Sequence, residues 1–205
     1  MVYFNADGKE ASMCGNGGRC CVAFASQLGM IKKKAIFKAY DGFHETLILK
    51  KQNNVSETRL KMMDSRIDKQ KENVFILNTG SPHYVCFKPD VKTMDVFNEG
   101  RKIRTSARFS KAGININFAE IHKDYIFVRT YERGVEDETL SCGTGAVAVA
   151  LAASIYQNRK QKSSYLISTP GGDLKVHFNQ TTALSFENIW LQGPATLVFM
   201  GEINV

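Results

Sequence analysis

The chain is short of the features that mark several large protein classes. Its 205 residues include only four prolines, and no apolar run approaches the ~20 residues a helix needs to cross a bilayer. Collagen-like, low-complexity and membrane-spanning readings are therefore excluded. The residues after Met1 (Val2, Tyr3, Phe4, Asn5, Ala6, Asp7, Gly8) form neither a basic leader nor an apolar export segment, which points to the cytoplasm. There is no Cys-x-x-Cys pair, and His44, His83, His122 and His177 lack ligand spacing to the cysteines. No metal site is expected. No glycine-rich dinucleotide fingerprint or phosphate loop occurs, so no cofactor is expected.

Lysine and arginine number 27 against 20 acidic residues, a formal charge of +7. The excess is scattered: Lys32 to Lys34, Lys50 and Lys51, Arg101 to Arg104 and Arg159 to Lys162 are separate short clusters. The stretch from Lys50 to Glu72 also holds Glu57, Asp64, Asp68 and Glu72, and reads as solvated faces and loops. No stacking-aromatic pattern or recognition helix accompanies the charge, so neither nucleic acid nor membrane is expected as a partner.

Five cysteines occur: Cys14, Cys20, Cys21, Cys86 and Cys142. An odd number, two of them adjacent, does not form a disulfide framework in a chain of this length. Cys20, Cys21 and Cys86 fit the ordinary reading of small buried hydrophobes. Cys14 and Cys142 do not, because their surroundings are duplicated. The first reads Glu10-Ala-Ser-Met-Cys14-Gly15-Asn16-Gly17, the second Glu138-Thr-Leu-Ser-Cys142-Gly143-Thr144-Gly145. Each runs into an alanine-rich apolar segment, a polar stretch, a strand-like segment (Ala35 to Tyr40; Tyr165 to Thr169), a glycine turn and a second strand-like segment. Cys14 lies 28 residues before Gly42 and Cys142 lies 30 before Gly172.

Gly8 and Gly134 suit turns with positive φ. The runs after each Cys-Gly-x-Gly are apolar on nearly every side, which predicts two helices, each buried at the centre of its own half. Further strands are predicted at Val74 to Leu77, Tyr84 to Phe87, Ile114 to Phe118, Tyr125 to Thr130, Leu174 to Phe178 and Thr196 to Met200. The fold class is α+β: two pseudo-symmetric halves, each a mostly antiparallel curved sheet or barrel around one helix. The expected division is 1–70, 71–190 and a terminal segment 191–205 crossing back to the first half.

A thiol at a helix N-terminus meets free N–H groups and the positive end of the macrodipole. Both favour thiolate, and the glycines let the backbone close around an anion such as a carboxylate. Two such thiols facing each other across a pseudo-two-fold axis suit two-base racemisation or epimerisation. One takes a proton from carbon and the other returns a proton to the opposite face, with aimed N–H dipoles stabilising the developing charge.

The residues closely resemble the diaminopimelate epimerases, cofactor-independent enzymes (no pyridoxal phosphate) of lysine and peptidoglycan-precursor biosynthesis. The resemblance rests on Phe4-Asn-Ala-Asp-Gly8, Met13-Cys-Gly-Asn-Gly17 with Arg19-Cys20, Tyr131-Glu-Arg-Gly134, Glu138-Thr-Leu-Ser-Cys-Gly-Thr-Gly145 and Pro170-Gly-Gly172, in that order. It implies Cys14 and Cys142 as the catalytic acid/base pair acting on a small-molecule substrate, diaminopimelate. Gly15 with Asn16 and Gly143 with Thr144 correspond to backbone cradles for the carboxylate at the reacting carbon. Asn5, Ser81, Asn115, Glu132 and Arg133 correspond to substrate-binding positions, with Asn117 the rival of Asn115 if the register slips by two. His83, and Glu132 again, correspond to groups that tune a catalytic thiol. A homodimer is implied on the same ground.

Two departures stand out. Ser81 replaces the family's usual asparagine before Pro-His, exchanging an amide for one hydroxyl. The family also opens with a Gly-Asn-Asp-Phe segment that this chain lacks. In the second unit strand-like sequence starts near Asn73, whereas Cys14 has only 13 residues before it, a shortfall of about 56 residues. The expectation is the C-terminal part of a longer enzyme, with a truncated first half. Rival readings are a proline or hydroxyproline racemase relative (which has histidine where Asn16 stands), a phenazine-biosynthesis-type isomerase without the cysteine pair, a catalytically crippled fragment, and a basic binding protein.

Overall fold

The computed structural model describes residues 1–4, 8, 13–159 and 163–201. Twelve strands and three α-helices make up the regular structure of those residues. In chain order they are α1 (Gly15–Gln27), β1 (Lys34–Ala39), β2 (Gly42–Gln52), β3 (Val55–Lys61), β4 (Ser65–Lys71), β5 (Val74–Asn78), β6 (Pro82–Phe87), α2 (Val96–Arg104), β7 (Asn115–Ile121), β8 (Ile126–Glu132), β9 (Asp137–Thr139), α3 (Gly143–Tyr156), β10 (Ser164–Thr169), β11 (Gly172–Gln180) and β12 (Ser185–Thr196).

One continuous sheet links them. Strands β4-β5-β6-β7-β8-β10-β11-β12 follow one another, and β12 returns to β4 through Ser185–Arg66 and Phe186–Ser65, closing an eight-stranded barrel. The barrel is mixed, with parallel neighbours at β6–β7 and β8–β10. Closure removes the free edges that an open sheet would leave. Beyond β12 the sheet continues into β3, β2 and β1. Residues Trp190 to Thr196 pair with β3, while Phe186 to Gln192 pair with β11.

Helix α3 runs inside the barrel. Every residue from Gly143 to Ser154 is buried, as its all-round apolarity predicts. Its alanines and valines pack against Leu77, Val85, Ile126, Ile167, Val176 and Ile189 from the surrounding strands. Helix α1 differs from expectation. It buries one stripe, Gly15, Gly18, Arg19, Val22 and Ser26, against β2, β3 and β12. Phe24 on its other face is 59% exposed. With strands on only one side among the described residues, its apolar composition does not become all-round burial. Cys20 and Cys21 are accordingly exposed, not core, while Cys86 is half-buried. Helix α2 packs outside the barrel on β7 and β8, over a second core of Val96, Ile116, Phe118 and Tyr131.

The duplicated pattern is geometric as well as textual. The hairpin β1–β2 pairs Ala39 with Gly42, and β10–β11 pairs Thr169 with Gly172. Gly42 and Gly172 take φ of 129° and 122°, a region closed to most side chains. Gly8 and Gly134 also sit at positive φ.

Five internal strands, β5 to β8 and β11, lie where the alternation placed them. The strand expected at 196–200 is absent: β12 ends at Thr196, and Val198 and Phe199 are each 83% exposed. The true last strand lies earlier, where Gly193-Pro194 imitates a turn. Pro194 is accommodated in the ladder opposite Glu57. Likewise the 50–72 stretch holds the whole of β3 and β4, with Thr58 and Leu60 wholly buried.

Candidate active site

The two cysteines occupy equivalent places. Cys14 caps α1 at φ −105°, ψ 110°, and Cys142 caps α3 at φ −115°, ψ 113°. Each helix begins at the glycine that follows, so the Gly-x-Gly sequence forms the first helical turn. The amide of Gly17 donates to the Cys14 sulfur at 3.3 Å. The two helix ends touch. A Cβ on Gly15 would lie 3.3 Å from the Gly143 Cα, and one on Gly143 would lie 3.1 Å from the Gly15 Cα. Leu191 of β12 closes the floor, its Cδ2 within 2.8 Å and 3.0 Å of those two positions. A side chain at either position would press on the backbone of the other helix end. Two positive dipole ends and their free N–H groups thus converge on one place, a natural seat for an anion.

A tether crosses the same junction. Asn16 Nδ2 donates to the carbonyl of Ser141, 3.0 Å away; separately, Thr79 Oγ1, just after β5, donates to the carbonyl of Thr144 in α3 at 2.8 Å.

Cys142 is buried and lies in a directed chain of side chains. Asn117 Oδ1 accepts from Thr130 Oγ1 at 3.0 Å, so its amide nitrogen faces Tyr84 O and His83 Nδ1, at 3.0 Å and 3.1 Å. His83 Nδ1 therefore accepts, and its Nε2–H donates to Thr144 Oγ1 at 2.9 Å. That leaves the Thr144 hydroxyl proton for the Cys142 sulfur, 3.5 Å away. Burial holds His83 neutral down to about 3, the Arg133 charge adding to the effect. The thiol of Cys142 is pushed up to about 12, by burial first and then by the Glu132 carboxylate, to which it hydrogen-bonds. Burial likewise raises Glu132, against the Thr139 hydroxyl that donates to it.

A second group lies beside the first. Asn115 Nδ2 donates to Ser81 Oγ at 2.8 Å and Pro82 O at 3.1 Å, and its Oδ1 accepts from the Arg133 amide at 2.9 Å. The guanidinium of Arg133 donates to Ala112 O at 3.1 Å. Glu132 and Arg133 do not pair with each other; they serve different groups. Asn115 and Asn117 are thereby separated: Asn117 is fully engaged in holding His83, and Asn115 joins Ser81 to Arg133. Asn5 lies outside the described residues.

Tyr3 was not anticipated from sequence. Its hydroxyl hydrogen-bonds Cys14, and burial together with the charges of Cys14, Glu132 and Cys142 raises it. Among the described residues no three His, Cys, Asp or Glu side chains are grouped to hold a metal, and no helix is long and apolar enough to cross a membrane.

Residues 75–198 match the family model described as diaminopimelate epimerase. Over 200 residues the chain is 47% identical to the diaminopimelate epimerase of Flavobacterium psychrophilum, covering 97% of this chain and 76% of that one. It belongs to the diaminopimelate epimerase family. The family's enzyme from Chlorobaculum tepidum is 38% identical over 214 residues, covering 100% of this chain and 80% of the relative. The enzyme from Aquifex aeolicus is 34% identical over 208 residues, covering 98% and 73%.

Solved structures show the fold that the family shares more widely. A probable proline racemase from Agrobacterium radiobacter superimposes with a TM-score of 0.71 at 12% identity, over 92% of this chain and 67% of that one. A hydroxyproline epimerase from Agrobacterium vitis gives 0.68 at 14% identity, over 92% and 66%. At that identity the likeness is one of fold alone.

Proposed function

We propose that the chain epimerises diaminopimelate, LL to meso, without a cofactor, by proton transfer between two cysteines. The observation that carries this reading is the meeting of two thiol-capped helix ends at Gly15 and Gly143. The names of the relatives support the substrate and the reaction type.

In this reading the substrate carboxylate sits on the first-turn N–H groups of α1 and α3, contributed by Gly15, Asn16, Gly143 and Thr144. Both dipoles lower the energy of the negative charge that develops when the α-proton leaves. Cys142, beside a carboxylate and pushed up to about 12, carries its proton and donates it. Cys14 takes the α-proton on the opposite face. The Thr144 hydroxyl, set by His83, then donates to the Cys142 sulfur as negative charge appears there. In the reverse direction the two thiols exchange roles.

Diaminopimelate carries a second amino-acid end, which needs its own polar partners. Arg133, Asn115 and Ser81 supply a cation, an amide and a hydroxyl beside the thiol pair. Proline has no such end. Deuterium incorporation at the α-carbon in D2O, followed by NMR for LL- and meso-diaminopimelate and for proline, tests the reading. Exchange into diaminopimelate alone supports it; exchange into proline, or into neither, overturns it.

A further inference from the structure

A second arginine stands behind Arg133, the cation proposed for the second amino-acid end. Helix α2 lies close on β8: a Cβ on Gly100 would stand 2.5 Å from the Tyr131 Cβ. One turn further, on the same helical face, Arg104 ends α2. A cation suits that end of the macrodipole. From there its guanidinium spans two segments. Nη1 donates to Phe109 O at 3.3 Å and to Ser110 O at 3.4 Å. Nη2 lies 3.0 Å from Glu136 Oε1.

Both segments hold Arg133. The loop after α2 supplies Ala112 O, which accepts from Arg133 Nη1 at 3.1 Å. Phe109 O, capped by Arg104, also accepts from the Gly113 amide at 2.9 Å, which closes the loop on itself. Gly113 has φ 71° and both arginines against it: a Cβ there would lie 2.4 Å from Arg133 Cδ and 3.2 Å from Arg104 Nη2. On the other side, Glu136 Oε1 accepts from the Gly134 amide at 3.2 Å, and the Glu136 amide donates to Glu132 O at 2.8 Å. Glu136 takes φ 57°, unfavourable for most residues other than glycine. Arg104 and Arg133 thus face the same loop and the same turn from opposite sides.

An ordinary surface ion pair does not account for this placement. The Arg104 side chain is 16% exposed, and its Nε is buried with no hydrogen-bond partner among the described residues. That costs stability. Helix α2 already packs through the buried Val96 and Gly100.

We propose that Arg104 is a positioning residue for Arg133. It fixes the spacing between the 109–113 loop and the 133–136 turn, and so the direction in which Arg133 meets the second amino-acid end of diaminopimelate. This rests on the substrate reading above and adds what holds its cation in place.

Two measurements test it. Amide hydrogen exchange, read by peptide mass spectrometry without substrate, compares the parent with Arg104→Met. Exchange should quicken about tenfold in peptides over 105–113 and 133–137 and stay unchanged in α3. Kinetics of α-proton exchange read the consequence. KM for diaminopimelate should rise about tenfold with kcat little changed, and in an Arg133→Gln background Arg104→Met should add nothing. Glu136→Gln, at an exposed position that endangers the fold least, should quicken the same two segments and raise KM about two- to threefold. Faster exchange that spreads into α3, or none in the two segments, overturns the proposal. So does an Arg104→Met loss that falls on kcat, or that recurs in full without Arg133. If Arg104→Met does not fold, Glu136→Gln decides alone, and parent-like exchange and KM overturn the proposal. A parent inert toward diaminopimelate sinks the substrate reading instead, and hydrogen exchange still decides whether Arg104 holds both segments.

Discussion

His83 Nε2 stands 2.9 Å from Thr144 Oγ1, and this one bond turns a threonine hydroxyl toward the thiol of Cys142. The imidazole is wholly buried and neutral, so it acts as a fixed donor and not as a titrating base. Thr144→Val keeps the shape and removes the hydroxyl. A hydrogen bond to a group that gains charge is worth roughly 1.5–3 kcal/mol. The variant should therefore lose about ten- to a hundredfold in kcat for α-proton exchange, and steady-state kinetics check it.

His83 also makes the fold acid-sensitive. Its proton affinity is about 3 in the native state against an ordinary value of 6.5. Below 6.5 the unfolded chain binds a proton that the native chain refuses, so its contribution is full above that value and is lost as pH falls toward 3. Denaturant melts of the parent should weaken across that window, and His83→Gln should flatten the dependence.

His44 works in the other direction. Its Nε2 meets Asp41 Oδ1 at 2.8 Å and its Nδ1 meets Lys61 O at 2.8 Å. The Asp41 bond raises its proton affinity above the ordinary value, against the effect of burial. Its contribution is therefore complete below the ordinary histidine value and fades as pH rises through the raised one. His44→Gln should cost roughly 1–3 kcal/mol in mildly acidic solution and less in alkaline solution, as thermal melts at several pH values would reveal.

Gly143→Ala places a methyl 3.1 Å from the Gly15 Cα and 3.0 Å from Leu191 Cδ2. A backbone atom cannot step aside as a side-chain end can. Overpacking of this kind costs about 1–3 kcal/mol, a fall of about 2–10 °C in Tm for a chain of this size. Exchange activity should fall further than stability does, because the helix ends that form the carboxylate seat are forced apart.

Cys14→Ala and Cys142→Ala should each abolish epimerisation, read as loss of α-deuteration with LL- and meso-diaminopimelate. Near-normal turnover in either would end the two-base mechanism.

The cysteine repeat was enough to place both helices and the matched hairpins, and apolar alternation placed β5 to β8. What escaped it has physical causes. Residues 185–196 contain Gly193-Pro194, a turn signal in any local reading, and become a strand only because β3 and β11 flank them on both sides. Cys20, Cys21 and Phe24 are apolar, but among the described residues no strand covers their side of α1, so composition overstated their burial. Asn115 and Asn117 share one face by the two-residue period of a strand, so spacing alone does not tell apart their partners, which in the structure are Ser81, Pro82 and Arg133 for one and His83, Tyr84 and Thr130 for the other. Arg19 stands inside a recognised motif, yet its burial depends on how α1 lies over β12, which no local pattern encodes.

Strand β12 belongs at once to the barrel and to the three strands beside α1, with Leu191 beneath both helix ends. The two thiol-bearing regions therefore share a single mechanical spine. A disturbance of that strand therefore reaches the surroundings of both cysteines at once.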